Sequence, residues 1–101
     1  MSAVEEKITI ENVNVPGFTT RVNKAMCAAM QQALWKVLPT KSPGMTQAEI
    51  RESVVPHLPE DLFPGGAKAG WWAKVVQLDQ EAKKNLIREA SKPLRWHRVA
   101  S

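Results

Sequence analysis

The chain has 101 residues, 44% apolar and 24% charged, a balance that suits one soluble globular domain and argues against wholesale disorder. Its net charge of +4 is uneven: residues 1–65 carry six Lys/Arg against seven Asp/Glu, and residues 66–101 carry eight against three. The later part therefore suits polyanions. Cys27 stands alone, which excludes an internal disulfide and any CxxC zinc site. Nowhere do 18 apolar residues run together, and the acidic opening MSAVEEKITIENVNV does not read as a secretory signal, so a cytoplasmic protein is expected.

Residues 1–6 read as a flexible tail and residues 7–101 as a single domain. Lys7–Val15 alternates Ile8, Ile10, Val13 and Val15 with polar residues, slipping by one near Asn12, which predicts an N-terminal strand with a bulge. Pro16-Gly17 ends it in a turn. A first helix is expected from Lys24 to Leu38, capped by Asn23 and stopped by Pro39, with Val22, Met26, Ala29, Met30, Ala33 and Val37 on its apolar stripe. Trp35 falls off that stripe, either covering the N-terminal strand or serving as an exposed aromatic at a dimer contact. After the turn-forming stretch Thr40–Gly44, Met45-Thr46-Gln47-Ala48-Glu49-Ile50 starts a second helix, with Thr46 and Glu49 at capping-box spacing. Ile50, Val54 and Leu58 point inward, and Pro56 ends or kinks the helix.

Pro59–Gly70 reads as a loop pinned by Leu62 and Phe63. A third helix is expected over about 69–84. On a helical wheel Trp71, Val75, Leu78, Ala82 and Leu86 gather on one face, expected to be buried. Ala73, Gln77, Gln80 and Lys84 form the opposite, outward face, flanked by Lys74 and Glu81. Trp72 and Val76 lie at the boundary, where a further element or a second subunit would pack. Leu86–Arg88, a turn over Glu89–Pro93 and Leu94–Arg98 predict a β-hairpin. The fold class is therefore mainly α with a small β-sheet, an α+β domain.

Helix, capped helix, glycine-rich loop, long helix and hairpin follow the order of a winged helix-turn-helix. The closing segment WWAKVVQLDQEAKKNLIRE…LRWH resembles winged-helix modules of bacterial transcription regulators and of restriction-system accessory domains. Over nearly its whole length the chain also resembles a family of small uncharacterised bacterial proteins, through ENVNVPG (Glu11–Gly17), PHLPEDLFPGGAKAGWWAKVVQLD (Pro56–Asp79) and PLRWHR (Pro93–Arg98). The first resemblance implies duplex DNA as partner, in a small transcriptional regulator that forms a homodimer.

In that reading Gln77 and Gln80 contact adenine edges, Lys74 and Lys84 meet phosphates, Lys68 lies by the helix start, and Lys92, Arg95, His97 and Arg98 extend the contact from the wing. Asp79 and Glu81 on the same helix weigh against it. The alternative is a non-enzymatic adaptor of the same fold that binds protein through Trp35, Trp72 and Val76. The loop Gly65–Gly70 lacks the spacing and the Lys-Ser/Thr ending of a nucleotide-phosphate loop, so it is read as the flexible start of helix three. His57, His97 and Cys27 have no partners at spacings that make a nucleophile–base pair or a metal site. No catalytic, cofactor or metal residue is assigned, and no small-molecule substrate or membrane contact is expected.

Overall fold

In the computed structural model residues 6–100 are described. The expected tail therefore lies, apart from Glu6, outside the described residues. Lys7–Glu11 (β1) and Thr19–Asn23 (β2) form an antiparallel hairpin in register from Lys7↔Asn23 to Glu11↔Thr19. The expected strand over 7–15 thus stops at Glu11. Hydrogen bonds from the Val15 amide to the Asn12 carbonyl and from Phe18 to Val15 turn the chain, with Gly17 at φ 86°. β2 was not anticipated, although Thr19, Thr20 and Val22 after a Pro-Gly turn are strand formers.

Lys24–Val37 (α1) begins as expected: the Asn23 side chain accepts the Met26 amide at 2.9 Å. Its buried residues are Cys27, Met30, Ala33 and Leu34, a stripe rotated from the expected one, with Val22, Met26, Ala29 and Val37 only partly covered. Met45–Thr46 (β3) is a two-residue strand leading into Gln47–Val54 (α2). The capping box at its start is complete: Thr46 Oγ1 accepts the Glu49 amide at 3.2 Å, and Glu49 Oε1 accepts the Thr46 amide at 2.9 Å. A 3-10 turn over Val55–His57 carries Pro56 and ends the helix.

Ala69–Ala82 (α3) crosses both earlier helices and β1. It ends with Lys84 in the left-handed region, φ 66°, while the Lys84 amide donates to the Glu81 carbonyl and the Asn85 amide to Gln80. That is a Schellman closure with lysine where glycine is usual. Leu86–Glu89 (β4) and Arg95–Arg98 (β5) make the expected hairpin. β5 also pairs with β3, so the sheet is antiparallel in the order β3-β5-β4. The molecule is an α+β domain of three helices and two small antiparallel sheets.

The core joins Ile10, Met30, Leu34, Ile50, Val54, Phe63, Trp72, Val76, Leu86 and Trp96. Burying each such side chain contributes about 1.5–3 kcal/mol. The inner face of α3 is Ala69, Trp72, Ala73, Val76, Gln77 and Gln80, repeating at i, i+3, i+4, i+7, i+8 and i+11. This rotates the helix from the sequence expectation, although Leu86 is buried as expected and Val75 packs half-buried against the core. Trp71, expected inside, is 56% exposed, while Trp72 is 6% exposed.

Candidate interaction surface

What turns α3 this way is a set of polar side chains that find partners inside. Gln77, 2% exposed, exchanges two amide hydrogen bonds with Gln47 at the start of α2, at 2.9 and 3.1 Å. The Gln80 amide nitrogen donates to Asp79 at 3.0 Å, and its oxygen accepts from Asn85 at 2.8 Å. Asp79 accepts the Glu11 amide at 2.9 Å, tying β1 to α3, and pairs with Lys83. Glu81 accepts two bonds from the Arg88 guanidinium, at 2.9 and 2.8 Å, and one from the Trp96 indole at 2.7 Å. That pairing holds Arg88 above its ordinary pKa. Among the described residues every buried side-chain nitrogen and oxygen has a partner, so the usual penalty for inward polar groups is absent.

The assigned base-reading residues are therefore not at the surface. Gln77 and Gln80 are structural bonds of the domain, and reaching a base edge would break them. The C-terminal hairpin is also largely occupied. Arg95 donates to the Gly44 carbonyl at 2.9 Å and lies 3.4 Å from Glu49, His97 Nδ1 is 2.6 Å from Glu89, and Arg98 Nε donates to the Leu38 carbonyl at 3.3 Å. Of the DNA-contact set, Lys68, Lys74, Lys84 and Lys92 are exposed. The interface set is corrected too: Trp72 and Val76 are core residues, and Trp35 packs half-buried against the core. Trp71 and Trp72 meet edge to face at 5.1 Å, and Trp72 meets Phe63 likewise at 6.3 Å, whereas Trp96 sits apart, beneath Arg88.

The outward face of α3 carries the exposed Trp71 and Lys74 and the half-exposed Leu78, with Val75 packed half-buried against the core beside them. It borders a chain of shallow hollows. One of about 300 Å³ lies between Lys74 and Leu78 on the helix, Gln47 on α2 and Leu94 just before β5. Beyond the Glu81–Arg88 pair a wider one of about 570 Å³ is lined by Val13, Lys84, Ile87 and Val99. At the other end Trp71 stands between two more, one with Lys68 and Met26, the other with Arg51 and Lys74. Trp71, Val13, Ile87, Leu94 and Val99 are exposed large apolar residues along this path. In sequence the signal was present as the second apolar stripe of α3. It was assigned to the core because the stripe holding the glutamines looked more polar.

The groups considered for chemistry lie apart. Cys27 is buried, and burial followed by the nearby Asp79 charge pushes its thiol pKa up. His57 is exposed on the 3-10 turn, and His97 is engaged by Glu89. In the Gly65–Gly70 loop the Gly65 amide is taken by the Glu60 carboxylate at 2.8 Å. Among the described residues no three His, Cys, Asp or Glu side chains gather as a metal site would require, and no helix is long and apolar enough to cross a membrane.

These features define an α+β domain, with three α-helices among the described residues, whose C-terminal hairpin flanks the outward face of α3. Residues 7–96 match a family of unknown function (DUF6958), and the chain belongs to that family. No curated protein matches the chain, and no solved structure does.

Proposed function

We propose that this domain is a non-enzymatic protein-interaction module of winged-helix type, docking a partner along the outward face of α3. The observation that carries the reading is the rotation of that helix: its glutamines are locked inside, Trp71 and Lys74 are exposed, and Leu78 is half-exposed beside them. A base-reading helix presents polar side chains to the groove edges, whereas exposed aromatic and aliphatic residues around hollows are the composition of a protein interface. The winged-helix assignment draws support from β3, which lies between α1 and α2 in sequence and pairs with the hairpin strand β5. Lys68, Lys74, Lys84 and Lys92 are the positions that would meet a nucleic-acid backbone.

Titration of a labelled mixed-sequence duplex at about 50 mM salt tests the choice, since a nonspecific DNA binder registers by micromolar protein under those conditions. No saturable rise in anisotropy is expected up to about 10 µM protein. A rise that disappears in Lys74→Glu would return α3 to DNA and reject the protein-docking reading.

A further inference from the structure

We infer that the partner docked along α3 is an acidic segment with aromatic or aliphatic anchors, a peptide stretch in which Asp or Glu alternates with Trp, Phe or Leu. This rests on the protein-docking reading above and adds the partner's chemistry. Two independent observations carry it.

The first is the charge of the groove. Lys68, Arg51, Lys74 and Lys84 follow one another from the start of α3 to its end, and none of the four forms an ion pair among the described residues. The carboxylate lining the same hollows is Glu81, and it is consumed by Arg88 and Trp96. A ligand lying there meets apolar side chains at the floor and uncompensated cations at the rim. Acidic groups flanking apolar anchors complement both at once, and opposite charge across an interface favours register and encounter.

The second is where the strain lies. Among the described residues the two non-glycine positions with positive φ are Lys68 at 62° and Lys84 at 66°, one immediately before α3 and one just after its last turn. Both are exposed, and both line the groove. Glycine would take this conformation without the steric cost that lysine bears. At Lys84 the Schellman closure needs the backbone conformation alone. A lysine at each end of the helix is explained when its side chain contributes something the fold does not need. An ammonium for a bound carboxylate is that contribution.

Selection from random 16-residue peptides displayed on phage, with the full chain as bait and the Trp71→Ala protein as counter-selection, tests this. Enrichment of Asp and Glu interleaved with Trp, Phe or Leu is expected. A selected peptide, synthesised and titrated, should bind at least 10-fold more weakly to Lys68→Gly/Lys84→Gly, although that double variant should unfold at a higher denaturant concentration than the parent. Lys74→Gln, which leaves every backbone angle alone, should also weaken binding several-fold.

Neutral apolar peptides whose binding ignores all three lysines would overturn the acidic assignment and leave α3 as a docking face. Recovery of no peptide that depends on Trp71 would overturn both. Displacement of the selected peptide by mixed-sequence duplex, or a dimer in sedimentation that Trp71→Ala disperses, would replace the acidic segment by nucleic acid or by a second copy of this chain.

Discussion

Gly44 shows how little room the junction between the turn before β3 and the C-terminal hairpin leaves. A Cβ added there would stand 2.0 Å from the Trp96 carbonyl oxygen and 2.7 Å from the Glu89 carboxylate. The first neighbour is backbone of the central strand β5 and cannot swing aside. Gly44→Ala should therefore destabilise the domain by at least about 2 kcal/mol, as overpacked sites do, measured by urea unfolding. The Glu89 carboxylate beside it is held below the ordinary carboxylate range, first by its hydrogen bond with His97, against an opposing push from desolvation, with help from Ser42 and the Gly44 amide. Its folded pKa is depressed relative to the unfolded chain. Its contribution is therefore fully present above the unfolded value of about 4.3 and is lost as pH falls through the lower folded value. The urea midpoint should drop as pH falls below that unfolded value. In Glu89→Gln the drop should be smaller and the midpoint at pH 7 lower; an unchanged pH profile would remove Glu89 from the account.

At the level of elements, α3 is defined by the partners of its polar side chains as much as by its apolar ones. The Gln47–Gln77 amide pair joins α2 to α3, and a neutral hydrogen bond contributes about 1 kcal/mol net. In a double-mutant cycle, Gln47→Leu and Gln77→Leu should each destabilise, with a coupling energy of about 1 kcal/mol between them. Strict additivity would mean the pair does not hold α3 in place. The start of α1, the capping box of α2, the stop at Pro56 and the closing hairpin were all legible in the sequence, because each rests on neighbours within a few residues. What was not legible rests on pairings distant in the chain. β3 is two residues long and exists by pairing with β5. The face of α3 depends on Gln47 and Glu11 supplying bonds to Gln77 and Asp79. With two apolar stripes side by side, a helical wheel ranks them by hydrophobicity, and that ranking favoured Trp71 and Leu78 over Trp72, Ala73 and Val76. The small Ala69 and Ala73 were the missed clue, since they let neighbouring helices approach where a bulkier stripe could not.

Across the whole molecule, the buried acids of α3 organise the halves. Asp79 ties the N-terminal hairpin to the helix, and Glu81 ties the C-terminal sheet to it through Arg88 and Trp96, with hollows on either side of the Glu81–Arg88 pair. The basic excess of residues 66–101 is thereby divided. Arg88, Arg95 and Arg98 serve the fold, Lys83 pairs with the buried Asp79, and Lys68, Lys74, Lys84 and Lys92 remain at the surface. A docking face on α3 requires Trp71 outward and Trp72 inward, and acrylamide quenching of tryptophan fluorescence tests that most directly. The parent protein should show a readily quenched component that Trp71→Phe removes and Trp72→Phe leaves intact. If Trp72→Phe removes that component while Trp71→Phe leaves it, α3 faces the other way, the glutamines are at the surface, and the docking surface described here does not exist.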